Sequence, residues 1–249
     1  MKKNLTIILS WLCIFWWSIV FAFDPFFLSS SQLNIPRIYN PISGFYEQKS
    51  KEEIAQEIIR NIDYYSDDSF QKFLDDNHWL SPDYNPTDIV KINSDFTTNR
   101  SSDFKLRQKV AEQFEWMARA FSNAFNFKAK LTINSARRSQ AYQRQLLSTC
   151  SAWRCAKPGT SEHEAWLALD LWVNWGNIKS GSGKYYQWLV DNAHKYGFHN
   201  SYQKWLKIDG KIVEPRHWRY VGVDLATLLH DNNQTFAEYF YENIEPKDL

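Results

Sequence analysis

The chain has 249 residues, long enough for one well-buried domain behind an N-terminal extension. Its formal net charge is +1 at pH 7 and no long basic run occurs, which argues against a nucleic-acid partner. Aromatic side chains number 12 Trp, 13 Tyr and 17 Phe, so most belong to the core and the remainder are available to line a cleft for peptide or glycan.

Lys2 and Lys3 precede an uncharged, largely apolar stretch from Leu5 to Phe23, which reads as a secretion signal, either cleaved after Ala22 or retained as a membrane anchor through residues 5–23. Residues 24–83 read as an N-terminal extension, irregular to about Ser50 because Pro36 and Pro41 interrupt it, then helical from Lys51 to Leu74 on the spacing of Ile54, Ile58, Ile59 and Ile62. From residue 84 to 249 the pattern is that of a single domain. Leu106, Val110, Phe114, Met117, Ala118 and Phe121 share one face of a helix predicted from Phe104 to about Phe125. A strand over Leu131–Ser135 and a helix over Ser139–Leu147 follow. Cys150 and Cys155 then enclose a short loop; outside the cytoplasm a disulfide between them is expected, a redox-active pair being the alternative. Leu167, Leu169 and Leu171 alternate with Ala168, Asp170 and Trp172 as a strand does. A Gly- and Ser-rich loop is expected over Gly176–Gly183, a helix from Tyr185 to Tyr196 with Gly197 as its cap, a strand over His217–Val221 and a helical tail over Phe236–Phe240. This order of elements implies an α+β fold with a small, mainly antiparallel sheet flanked by helices.

Two short segments carry chemistry. His163 and Asp170 are seven residues apart, roughly 10 Å along a helix, too far to share one ion there, and their parity differs on a strand. A loop must therefore deliver His163 and a strand Asp170. Pro215 holds Glu214 out of helix, so Glu214 and His217 stand at the entrance of the second strand. Two imidazoles and a carboxylate can hold Zn²⁺ with a position left for water, and Glu214 is a spare carboxylate to take a proton. The helical H-E-x-x-H pattern is excluded, because residue 167 is Leu. His78, His194, His199 and His230 read as structural or solvated.

Ser161-Glu162-His163-Glu164-Ala165-Trp166-Leu167-Ala168-Leu169-Asp170 resembles the S-x-H-x-x-G-x-A-x-D signature of VanY-like D-alanyl-D-alanine carboxypeptidases, and Glu214 to Gly222 resembles their E-P-x-H-F/W-R-Y-V-G segment. Ser135 to Ser139 with Gln143, and Tyr84 to Val90, resemble two further family runs in family order. The resemblance implies the hedgehog/D-Ala-D-Ala-peptidase fold, Zn²⁺ held by His163, Asp170 and His217, Glu214 as general base, Arg138 steadying the substrate carboxylate or oxyanion, and Gln143 and Ser161 as substrate contacts. It implies an enzyme acting on peptidoglycan stem peptides, and the signal segment makes that enzyme exported, to the periplasm or cell envelope. D,D-carboxypeptidase action is the leading expectation; L,D-carboxypeptidase, endopeptidase and a non-catalytic zinc-containing scaffold stay open. Trp166 stands where the signature has Gly, so a backbone needing positive φ there would be strained, whereas an extended one would let the indole form a cleft wall. No feature of the sequence addresses oligomeric state.

Overall fold

The computed structural model describes residues 37–40, 45–48, 50–99, 101, 103–151, 153–178, 183–205 and 211–245. The apolar leader, and residues 179–182 of the Gly- and Ser-rich loop, lie outside the described residues. Residues 50–249 form one compact unit. The preceding segment is not irregular throughout: β1 (Arg37–Asn40) pairs antiparallel with β2 (Phe45–Gln48). Pro36 and Pro41 themselves lie outside the described residues.

Helix α1 (Lys51–Arg60) opens on a reciprocal cap, Ser50 N–H donating to Glu53 Oε2 at 2.7 Å and Glu53 N–H to Ser50 Oγ at 3.1 Å. It does not run to Leu74 as the apolar spacing suggested. Asp63 Oδ1 accepts the N–H groups of Tyr65 and Ser66, both at 2.9 Å, and this local alternative to helical bonding turns the chain away. Short strands β3 (Ile89–Lys91) and β5 (Lys105–Arg107) pair with each other, and β4 (Thr97–Asn99) joins the main sheet. Helix α2 (Gln108–Ala124) starts four residues later than predicted because residues 105–107 are spent in β5. Then come β6 (Leu131–Ser135), α3 (Gln140–Leu147) capped by Ser139, β7 (Ala168–Val173), β8 (Gly176–Asn177), α4 (Lys184–Asn192) with a 3-10 turn ending at left-handed Gly197, β9 (Phe198–His199) and β10 (His217–Tyr220). Two helices close the described chain, α5 (Val223–Asp231), which the periodicity did not announce, and α6 (Phe236–Asn243).

The main sheet runs β4-β6-β7-β10-β9, with β8 folded back on β7; only β4 and β6 are parallel. One face is apolar: Leu131, Ile133, Leu167, Leu169, Leu171, Trp218 and Tyr220 pack against Val110, Phe114, Met117 and Phe121 of α2. A second core joins Ile59, Tyr64 and Phe73 to Val221, Leu225, Leu229, Phe236 and Phe240, with the Phe73 and Phe240 rings stacked at 3.9 Å. The stretch after α1 is thus built into the same unit as the sheet. A chain beginning at Tyr84 leaves this second core open, and stripping three large buried side chains from one cluster costs several kcal/mol. It is expected to melt well below a chain beginning at Ser50, read by thermal unfolding; equal melting temperatures would refute the shared core.

Candidate active site

β7 and β10 lie antiparallel with His217 opposite Asp170, Trp218 opposite Leu169 and Arg219 opposite Ala168. Directly opposed residues share a face, so His217, Arg219, Asp170 and Ala168 look away from the apolar core while Leu169 and Trp218 enter it. His163 comes from the turn before β7, where Glu164 N–H donates to Ser161 O at 2.9 Å and Trp166 N–H to His163 O at 3.3 Å. The Glu164 carboxylate ties this turn down by accepting the N–H groups of Gly159 and Ser161. Loop and strand therefore deliver the two ligands as the spacing demanded.

His163, Asp170 and His217 are all buried, and one donor atom from each lies within 4.8 Å of the others. His163 Nε2 and His217 Nδ1 each stand 3.6 Å from Asp170 Oδ1. Two donors about 2.1 Å from one ion at tetrahedral angles lie roughly 3.4 Å apart, so these separations suit a zinc-sized cation. His163 Nε2 and Asp170 Oδ1 have no hydrogen-bond partner among the described residues, although burial of an unpaired polar atom is costly. The donor set fits Zn²⁺.

The tautomers are set from behind. His163 Nδ1 donates to Ala136 O at 2.5 Å, freeing Nε2; His217 Nε2 donates to Glu162 Oε2 at 2.6 Å, freeing Nδ1. Glu162 also accepts from Ser201 Oγ and, at 2.9 Å, from Arg219 Nη1. Burial alone would raise the Glu162 carboxyl, but Arg219 and His217 hold it well below the ordinary carboxylate range. Burial, with the Arg138 charge nearby, pushes His163 down to about 4 and keeps it neutral. Burial acts the same way on His217, yet the carboxylates of Asp170 and Glu162 beside it outweigh burial and lift this ring to about 9. Two carboxylates around one imidazole make this a place that favours positive charge. Sequence reasoning assigned no role to Glu162 or Arg219. A signal existed: Arg219 is two residues after His217 on a strand, hence on the same face, and a buried arginine there requires a carboxylate.

His163 and His217 floor a cleft of about 350 Å³ whose walls include Arg138, Ser161, Tyr202, Glu214 and Arg216, with Asp170 buried beneath them. Arg138 Nη2 donates to Asp170 Oδ2 at 3.3 Å, while neighbouring Arg137 turns away and lies 4.7 Å from the Trp166 ring. Glu214 is held by its backbone, its N–H donating to Tyr202 O and its carbonyl accepting from His217 N–H. Its carboxylate lies 3.7 Å from Arg216 Nη2. Ser161 is buried on the cleft wall. Gln143 does not line the cleft; it is fully buried, and its amide donates to Ala156 O at 2.8 Å behind the wall. Cys150 and Cys155 form a disulfide, and their loop lines the cleft. His78, His194, His199 and His230 lie outside it.

Trp166 adopts φ +61° and is 6% exposed. The signature glycine position does require the left-handed region, and this chain meets it with an indole buried against Arg137.

A family model described as D-alanyl-D-alanine carboxypeptidase (VanY) matches residues 103–223. A D-alanyl-D-alanine carboxypeptidase of Enterococcus faecalis V583 is 39% identical over 85 residues, covering 34% of this chain and 31% of that protein. Matches span 31–63% of the length of the curated relatives. Among solved structures, the LdcB LD-carboxypeptidase superposes with a TM-score of 0.61 at 27% identity, covering 70% of this chain and 86% of that one. A vancomycin-resistance D,D-pentapeptidase VanY in complex with Zn(II) superposes at 0.54 and 21% identity, covering 68% and 97%, a likeness of fold.

Replacing Glu162 with Gln removes the anionic partner of His217 and is expected to weaken metal affinity about 10–100-fold, measured by competition with a chromophoric chelator. Unchanged affinity would show that Glu162 does not orient the ligand. At position 166, Trp166→Gly and Trp166→Ala both lose the buried indole, but only glycine also relaxes the positive φ. The Gly variant is expected to be the more stable of the two by about 1 kcal/mol in denaturant unfolding.

Proposed function

We propose that the chain is a member of the VanY-like D-alanyl-D-alanine carboxypeptidase family, whose model matches residues 103–223, and that it is an exported, zinc-dependent D,D-carboxypeptidase that removes the terminal D-Ala from peptidoglycan stem peptides. The observation that supports this reading is the convergence of two buried, unpaired donor atoms, His163 Nε2 and Asp170 Oδ1, with His217 Nδ1, where the two imidazoles floor a cleft walled by a carboxylate and a guanidinium. Zinc, when bound, supplies a Lewis acid that polarises the scissile carbonyl and acidifies a water. His163, Asp170 and His217 would hold it. Glu214 accepts the proton of the attacking water and returns it to the leaving amine, which requires a carboxylate that is ionised at rest and close to the reacting atoms. Arg138 anchors the terminal carboxylate of the peptide; a guanidinium has five N–H donors, so one contact with Asp170 leaves a fork for the substrate. Ser161 borders the peptide, and Gln143 serves by bracing the wall at Ala156. The disulfide suits an oxidising compartment, which agrees with reading residues 5–23 as an export signal.

The likeness to an LD-carboxypeptidase favours one second reading, removal of a single D-Ala from a tetrapeptide. Incubating zinc-loaded protein with pentapeptide and tetrapeptide fragments and weighing the products separates the two. Loss of one D-Ala from the pentapeptide alone is expected; cleavage of the tetrapeptide alone would overturn the D,D-reading. Glu214→Gln is expected to retain stoichiometric zinc and lose at least about 10³-fold in kcat, and full activity in that variant would refute the assigned base.

A further inference from the structure

The inference here deepens the proposed function and rests on it. The cleft is more basic than cutting a terminal peptide bond requires. Its ionisable walls carry Arg138, Arg154, Lys211 and Arg216 against Glu162 and Glu214. Glu162 is spoken for by Arg219 and His217, and Arg216 stands beside Glu214. Arg154 is exposed, and its side chain makes no hydrogen bond or ion pair with any described residue. Lys211 Nζ donates to Cys155 O at 3.3 Å, which sets a second cation against the loop that carries Arg154.

This wall is built rather than loose. The Cys150–Cys155 disulfide closes the loop, Arg154 and Cys155 N–H groups both donate to Ser151 O, and Ile212 N–H donates to Trp153 O at 3.2 Å, stitching the loop to the segment that leads to Glu214. Arg138 precedes α3 and the loop follows it, with Leu146 and Thr149 lining the cleft between them. An eight-residue helix is about 12 Å long. That is the span of roughly three to four residues of extended peptide.

We propose that Arg154, supported by Lys211, forms a second anion subsite that recognises an internal carboxylate about three residues from the C-terminus of the peptide, so that the preferred substrate is an acidic stem peptide and not its amidated or basic counterpart. Arg138 takes the terminal carboxylate and Arg154 the internal one, which fixes both register and direction of the chain over the metal ligands. Positive charge focused in a cleft also raises the capture rate of such a peptide and makes it sensitive to salt.

The test uses two synthetic peptides ending in D-Ala-D-Ala that differ only in whether the third residue from the end carries a side-chain carboxylate or its primary amide. Zinc-loaded full chain is expected to show about tenfold higher kcat/KM on the carboxylate peptide, expressed mainly in KM. Arg154→Gln is expected to erase that preference while leaving the amide peptide unchanged, and Lys211→Gln to reduce it. Equal kcat/KM for both peptides, or an equal loss on both in Arg154→Gln, overturns the subsite. Titration of both peptides onto Glu214→Gln by calorimetry keeps the two ideas apart. Tighter binding of the carboxylate peptide without turnover by the parent chain upholds the subsite and sinks the proposed reaction; turnover without discrimination does the reverse, and binding of neither peptide overturns both.

Discussion

The buried pair of Glu162 and Arg219 is the constraint on which the rest of the molecule depends. Taking both charges out of water is expensive, and it is tolerated because each is enclosed by further partners. Glu162 accepts from Ser201, His217 and Arg219; Arg219 also donates to Lys72 O and lies over the Phe236 ring at 5.1 Å. One interaction therefore ties the loop before β7, the stretch after β9, strand β10, the segment after α1 and helix α6. The same carboxylate aims His217 at Asp170. Ligand orientation and the joining of two hydrophobic cores are one act, so a change that loosens the second core is felt at the metal ligands.

Floor and walls of the cleft are made differently. Asp170 and His217 are locked by strand register, which cannot slip by one residue without turning Leu169 and Trp218 out of the core. His163 is held by a turn whose carbonyl groups, N–H groups and Glu164 carboxylate are mutually satisfied. The walls, by contrast, come from the disulfide loop and the segment around residues 211–216, where exposed Trp153 and Arg154 sit.

Trp166 shows how a local rule can be overridden. A left-handed backbone is costly for a large side chain, by about 1–3 kcal/mol, but burying an indole under the Arg137 guanidinium is of comparable worth. The turn survives the loss of its glycine because packing offsets strain. Arg137 is drawn onto the indole, while Arg138 is the neighbour that faces Asp170.

Sequence alone determined the features that depend on backbone period and donor type: the parity clash between His163 and Asp170, which demanded a loop followed by a strand; the strand over Leu131–Ser135; and the stripe of α2. Tertiary structure decided what depends on contacts across long separations. Glu162 and Arg219 are 57 residues apart and meet only because β7 and β10 pair in one register. Gln143 has the right chemistry for a substrate contact, but α3 faces it into the wall. The helix expected to reach Leu74 ends at Arg60, where an aspartate's hydrogen bonds to the next turn outcompete an apolar period that was serving a second core and not a longer helix. A one-dimensional pattern reports which face a side chain occupies on its own element; which partner waits on that face is set by how elements pack.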